Sequence, residues 1–177
     1  MNGRTTIHLE CWQPIRHGAA HRLIGELGSP GSGRWHLTPP VDRLDLALGM
    51  ARAGELVVSL GRRHGGELSA GALAFLLARL PELGLPPRLA ATLESWTLLR
   101  EPPAEGLLPE AETVAVGRVH GHPGHPDGSW VRTGPVLRSG RGALDTLTAH
   151  FTLGRPLEGP LPADPLPAEP ARAEAAG

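Results

Sequence analysis

Residues 113–154 constrain the fold more than any other part of the chain, because they alone carry an unbroken series of strand and turn signals. The Pro-Asp-Gly sequence at 126–128 favours a tight turn, since proline presets φ, aspartate bonds its own backbone and glycine accepts positive φ. The β-prone runs on both sides of this turn predict a hairpin. Thr133, Gly134 and Pro135 interrupt the second run and predict a bulge or an edge position, because proline cannot donate to a ladder.

A third strand is predicted after the turn at 139–142. The alternation of apolar and polar residues over 143–153 is typical of a half-buried strand. Residues 113–154 are therefore predicted to form a small bent antiparallel β-sheet or a partial barrel of the SH3-like or OB-like kind. Residues 155–177 are rich in proline and contain no aromatic residue, so we predict a disordered tail.

Strand and helix patterns alternate in residues 1–100. Strands are predicted at 5–12 and 56–60, and a hairpin is predicted between 21–27 and 34–37, with a short helix from Pro14 as the alternative. Helices are predicted at 38–54, 70–83 and 88–99, because apolar residues recur in each range at spacings of three and four. The predicted fold class is α+β, with N-terminal strands and about three helices in residues 1–100, a linker at 101–112 and then the β unit. We find no internal repeat in the pattern.

The composition limits the classes of partner. The chain of 177 residues has 17 basic residues, all arginine, against 18 acidic residues, which argues against a strongly cationic nucleic-acid binder. Its single cysteine, Cys11, cannot form an internal disulfide. The longest apolar run, at 70–78, is far shorter than the ~20 residues of a membrane-spanning helix. No basic and apolar leader precedes the first strand, so we expect a cytoplasmic protein with no membrane partner.

Four candidate metal ligands lie close together in the sequence, at His120, His122, His125 and Asp127. In a strand, His120 and His122 would point to one side and chelate one ion, and three protein ligands with one open position define a catalytic zinc site. The histidine spacing resembles the HxHxDH motif of the metallo-β-lactamase fold, but Gly124 occupies the aspartate position, and we exclude that family. The alternative is a solvated hairpin loop, whose flexibility would oppose ligand preorganisation.

Two further clusters are candidates for binding anions or nucleic acid. Arg62, Arg63 and His64 lie in a glycine-flanked loop before a predicted helix, where backbone N–H groups favour phosphate. Trp130, Arg132 and Arg138 lie on the predicted sheet, where an aromatic ring and arginines can hold single-stranded nucleic acid. The alternatives are a plain connecting loop for the first cluster and a core position for the tryptophan.

No serine or cysteine lies at a recognisable spacing from an orienting histidine, and no paired carboxylates have an adjacent base. The sequence therefore favours a non-catalytic binding or accessory protein that contacts another macromolecule, with a protein partner or self-association preferred to nucleic acid. No cofactor is expected. The alternatives are a zinc enzyme or sensor built on His120, His122 and His125, and single-stranded nucleic-acid binding by the β unit.

Overall fold

The computed structural model describes residues 5–102 and 111–161, which are mostly β-strand. The first six strands are β1 (Thr5–His17), β2 (Ala20–Leu27), β3 (Trp35–Leu37), β4 (Arg43–Asp45), β5 (Met50–Ala53) and β6 (Leu56–Leu60). The last six are β7 (Leu89–Glu101), β8 (Glu112–His120), β9 (Ser129–Pro135), β10 (Arg138–Gly140), β11 (Ala143–Asp145) and β12 (Ala149–Leu153). Between these sets, the described ranges contain one α-helix, α1 (Ala70–Leu77), and a 3-10 turn at Pro81–Leu83.

The described residues form two compact units. The N-terminal unit runs to Arg79 and the C-terminal unit starts at Leu80. Each unit has one six-stranded sheet, with the order β3-β2-β1-β6-β5-β4 in the first and β9-β8-β7-β12-β11-β10 in the second. Neighbouring strands are antiparallel except for the central pairs, β1 with β6 and β7 with β12, which are parallel. The two sheets therefore have the same topology, strand for strand.

In the N-terminal unit, the two edge strands belong to one continuous segment, residues 35–45. After β3, the backbone N–H of Val41 donates to the carbonyl of His21 in β2 at 2.8 Å. The next N–H, of Asp42, donates to the carbonyl of Arg52 in β5, also at 2.8 Å. The segment thus passes from one edge of the sheet to the other within two residues. Through this segment the sheet closes on itself, which shortens its unpaired edges.

The C-terminal sheet closes in the same way. The N–H of Val136 donates to the carbonyl of Thr113 in β8, and the N–H of Leu137 donates to the carbonyl of Asp145 in β11, both at 2.8 Å. Strands β9 and β10 are thus two halves of one bent segment. The prediction of no internal repeat is wrong, because the chain uses one closed-sheet topology twice.

The predicted α+β class with about three helices is also wrong. Residues 38–54 contain β4, β5 and the turn between them, and all but the first residue of 88–99 lies in β7. Only part of the predicted helix at 70–83 is helical, as α1, which begins with the Ser69 Oγ accepting a hydrogen bond from the Ala72 N–H at 3.1 Å. The small antiparallel sheet predicted for residues 113–154 is also corrected. The observed sheet is mixed, because it includes β7, which precedes residue 113 and pairs with β12 in parallel. In contrast, the strand at 56–60, both hairpins and the bulge near Thr133 lie where the sequence predicts them.

A matching β-bulge bends the long strand of each unit. The pairing of β1 with β2 shifts between Glu10 and Gln13, and that of β7 with β8 shifts between Glu94 and Thr97. Cys11 and Ser95 take the extra position, with φ of 49° and 48°, a left-handed conformation that few non-glycine residues adopt. In both strands the residue after this position is tryptophan.

The same contacts hold both bulges. In the N-terminal unit, the Trp12 Nε1 donates to the Gly61 carbonyl at 3.1 Å, and a Glu10 carboxylate oxygen accepts from the Arg62 N–H at 2.9 Å. A Cβ on Gly61 would lie 2.1 Å from that carboxylate, so glycine lets the carboxylate lie against the backbone. We call this Glu-X-Trp and Leu-Gly-Arg arrangement the bulge lock.

The bulge lock of the C-terminal unit repeats this geometry. The Trp96 Nε1 donates to the Gly154 carbonyl at 3.0 Å, and a Glu94 carboxylate oxygen accepts from the Arg155 N–H at 2.9 Å. Each unit also has its own apolar core, formed in the first around Leu9, Trp12, Leu23 and Val58, and in the second around Leu93, Val119, Leu144 and Phe151. Within the described ranges, no helix combines the length and apolar character needed to cross a membrane.

Candidate functional site

The histidine segment lies between β8 and β9, and the structure brings only two of its four candidate ligands together. The rings of His122 and His125 lie 4.8 Å apart, centroid to centroid. The Asp127 carboxylate accepts the Gly121 N–H at 2.7 Å and so fixes the loop backbone. In residues 5–102 and 111–161, no group of three or more His, Cys, Asp or Glu side chains is placed to hold a metal ion.

The orientation of the buried His122 ring also argues against a metal. Its Nδ1 accepts a hydrogen bond from the Gly124 N–H at 3.1 Å, so the neutral ring carries its proton on Nε2. A metal-binding histidine has the opposite arrangement, in which one nitrogen binds the metal and the other donates its N–H. The space beside His122 and His125 is too tight to admit a water molecule. Zinc binding by His120, His122 and His125 stays a prediction of the sequence.

Of the predicted anion-binding residues on the C-terminal sheet, Arg132 already has an ion-pair partner within its own unit. The Arg132 guanidinium forms two hydrogen bonds with the Glu101 carboxylate. Arg138 lies opposite Asp145 in the β10–β11 pair. Arg118 lies over the ring of Trp130, at 5.5 Å from its centroid. These contacts neutralise or cover much of the predicted cationic surface, so nucleic-acid binding stays a prediction.

The loop at 62–64 is tied to β1 rather than held open for an anion. The Arg62 N–H donates to the Glu10 carboxylate, and the Arg62 guanidinium lies 3.7 Å from the Cys11 sulfur. The Arg63 guanidinium lies over the Trp12 ring, and the backbone N–H of His64 donates to the Trp12 carbonyl at 3.0 Å. This loop therefore has a structural role in the bulge lock.

The structure also joins three side chains that are distant in sequence. The His8 Nδ1 lies 3.1 Å from the Ser59 Oγ, and the His8 Nε2 lies 3.0 Å from a Glu10 carboxylate oxygen. The hydrogen bond with His8, followed by that from the Arg62 N–H, lowers the pKa of Glu10. Sequence inspection missed this chain because its members lie on two strands that pair only in the folded sheet.

This Ser-His-Glu chain lacks the rest of an acyl-transfer site. Ser59 lies in β6, a strand paired on both sides, with β1 and with β5. Its neighbouring N–H groups belong to those ladders, whereas catalysis needs donors aimed at a developing oxyanion. The C-terminal unit keeps the glutamate of the lock, Glu94, but has Thr92 opposite Thr152 where His8 faces Ser59. The hydrogen bonds among Ser59, His8 and Glu10 are best explained as support for Glu10 in the bulge lock.

A second polar cluster, in the C-terminal unit, centres on Asp145. The Arg88 guanidinium donates to the Asp145 carboxylate and to the Ala149 carbonyl, both at 2.5 Å, and the His150 Nδ1 lies 2.9 Å from the same carboxylate. Burial raises the pKa of Asp145, but hydrogen bonds with His150 and Arg88 outweigh burial, and the pKa lies below its usual value. The cluster ties the residue before β7, Arg88, to β11 and β12.

The β4–β5 hairpin presents the two most exposed large hydrophobic side chains of the described residues. Leu48 is 74 % exposed and Leu46 is 49 % exposed. The turn is nevertheless ordered, because an Asp45 carboxylate oxygen accepts the Leu48 N–H at 3.0 Å and the Gly49 carbonyl accepts the Leu60 N–H at 2.7 Å. An ordered turn with two leucines at its tip is suited to contact an apolar surface.

The equivalent turn in the C-terminal unit shows that the fold does not need this apolar tip. There, β10 and β11 are joined by Arg141 and Gly142 alone, without an apolar residue. The β4–β5 turn is longer by two residues and carries both leucines. Since the same closed sheet forms with a tight polar turn, topology does not account for the exposed leucines.

Sequence inspection placed both leucines in the helix predicted at 38–54, with Leu48 in its apolar stripe, so it missed the hairpin as a site. Comparison with known proteins found no matching family, no matching curated protein and no matching solved structure. The function is therefore argued from the geometry of the two units alone.

Proposed function

We propose that this protein is a non-catalytic binding module that contacts another protein through its β4–β5 hairpin. The observation that carries the proposal is the tip of this hairpin, where Leu46 and Leu48 are exposed on a turn fixed by hydrogen bonds. An ordered tip loses little conformational entropy on binding, which favours recognition by preorganisation. Binding residues are commonly found on loops supported by a rigid scaffold, and the closed sheet is such a scaffold.

The experiment that tests the proposal places a photo-reactive amino acid at position 48 in the full chain. Irradiation in the producing cells should give a covalent adduct with one defined protein, identified by mass spectrometry. The matched control carries the same amino acid at position 141, in the equivalent turn of the C-terminal unit, and should give no such adduct.

Binding of the purified partner is then measured directly. Replacing Leu46 and Leu48 by serine should weaken binding by about tenfold or more, the change produced by ~1.4 kcal/mol. The free energy of unfolding should change by no more than about 0.5 kcal/mol, because both side chains are exposed. Equal adducts at positions 48 and 141, or unchanged affinity of the double variant, would contradict the proposal. An adduct of twice the chain mass would replace the proposed partner with a second copy.

A further inference from the structure

Two arginines face each other directly across the hairpin. Arg43 in β4 pairs with Arg52 in β5, and both are exposed. Leu44 and Ala51, the next pair, point towards the core, so the two guanidinium groups extend from the outer face beneath the leucine tip. Like charges placed opposite each other across a strand pair are destabilising.

The nearby carboxylates already accept backbone hydrogen bonds. The Asp42 carboxylate accepts the Gly54 N–H at 2.6 Å, and the Asp45 carboxylate accepts the Leu48 N–H. Arg52 donates through Nε to the Gly54 carbonyl at 3.3 Å, and Arg43 has no ion pair with any described residue. Asp42 and Asp45 keep their negative charge, but neither forms an ion pair with Arg43.

The equivalent strand pair of the C-terminal unit has opposite charges. Arg138 lies opposite Asp145 at the position that corresponds to Arg43 and Arg52. The same closed sheet therefore accepts an attractive pair at this position, and the N-terminal unit has a repulsive one. The repulsive pair lies on the hairpin that carries the exposed leucines.

We infer that the partner segment that binds this hairpin is acidic as well as apolar. Its carboxylates would lie against Arg43 and Arg52, and its apolar side chains against Leu46 and Leu48. An arginine guanidinium binds carboxylates through paired hydrogen bonds, and relief of the repulsion within the pair adds to that attraction. This inference rests on the proposed function, because it assigns the chemistry of the segment that contacts the same hairpin.

The test uses the adduct formed at position 48 and the peptide that carries the cross-link. Mass spectrometry of the adduct gives the cross-linked segment of the partner, which is then synthesised and labelled for binding to the full chain. We expect a segment with net negative charge. Arg43→Gln with Arg52→Gln should weaken its binding by about fivefold or more, and Arg43→Gln alone should weaken it less. Arg141→Gln, which removes one exposed charge from the C-terminal unit, should leave binding unchanged.

A double-mutant cycle makes the test specific for the proposed ion pairs. Replacing the acidic residues of the peptide by their amides should weaken binding as much as the arginine changes do. The two changes together should be no worse than either alone, because they remove the same contact. A neutral or basic segment, or additive effects of the two changes, would overturn the inference and leave the proposed function standing. Absence of an adduct specific to position 48 would overturn both.

Discussion

Gly117 lies opposite the bulge of β7, where the backbone and a tryptophan leave no room for a side chain. A Cβ at this position would lie 2.7 Å from the Leu93 Cγ and 3.0 Å from both the Glu94 carbonyl oxygen and the Trp96 Cβ. Gly117→Ala should therefore destabilise the C-terminal unit by about 1–3 kcal/mol, as expected for overpacking in a core. Chemical denaturation would measure the loss.

The control for that change is Gly65→Ala. A Cβ on Gly65 would have no atom within 4 Å, and its backbone is not left-handed, so the substitution should be neutral or slightly stabilising. If Gly117→Ala proved as stable as Gly65→Ala, the close approach of the bulge to β8 would not be a constraint on the fold.

Asp145 makes the stability of the C-terminal unit depend on pH. Because hydrogen bonds with His150 and Arg88 lower its pKa in the folded state, its contribution is present above the unfolded value of about 3.9. That contribution is lost as the pH falls through the folded pKa. Asp145→Asn should cost about 1–3 kcal/mol at neutral pH, since it weakens the hydrogen bonds with Arg88 and His150. Denaturation of both proteins from pH 7 downwards should show the difference closing below about pH 4, and a constant difference would exclude this cause.

The bulges explain why one long strand resembles a helix in the sequence. In β7 the inward residues are Ala91 and Leu93, followed after the bulge by the half-buried Trp96. The bulge lengthens the spacing between the inward residues Leu93 and Trp96 from two residues to three. Because Leu89 lies four residues before Leu93, the three positions have the three-and-four spacing of an amphipathic helix. The left-handed φ that creates the bulge falls on a serine, so the sequence carries no glycine to mark it.

The missed repeat had a sequence signal, although a weak one. Leu-Glu-X-Trp occurs at 9–12 and 93–96, and Leu-Gly-Arg occurs at 60–62 and 153–155. These residues form the two bulge locks, while most other equivalent positions differ. The hairpin site could not be predicted in the same way, since whether Leu48 belongs to a buried stripe or to a turn depends on the closure of the sheet.

The segment after β12, residues 155–161, is hydrogen-bonded to β7. The Leu157 N–H donates to the Trp96 carbonyl at 2.8 Å, and the Arg155 N–H donates to Glu94. A chain that ends at Gly154 should therefore be less stable than one that ends at Leu161, by about 1–3 kcal/mol for the lost hydrogen bonds. In the shorter chain, the new C-terminal carboxylate of Gly154 would lie beside the Glu94 carboxylate, and their repulsion would lower the stability further. Thermal denaturation compares two chains that both lack residues 162–177, and equal melting temperatures would show that these bonds contribute nothing.

At the scale of the whole molecule, each unit has a closed sheet, a bulge lock and an apolar core of its own. Cores built within a unit allow it to fold without the rest of the chain. The duplication also separates roles, because both units keep the lock and only the N-terminal unit carries the exposed leucine tip. This difference between the units is the reason for placing the proposed binding surface on the N-terminal unit.

A fragment of residues 80–177 should fold alone, because the core around Leu93 and Phe151 contains only residues of the C-terminal unit. We expect dispersed amide resonances and a single cooperative thermal transition. Gly117→Ala should lower the temperature of that transition in the fragment, as it should in the C-terminal unit of the full chain. An unfolded 80–177 fragment would show that its core depends on the N-terminal unit. A folded fragment that binds the partner of the β4–β5 hairpin would instead move the binding surface away from the leucine tip.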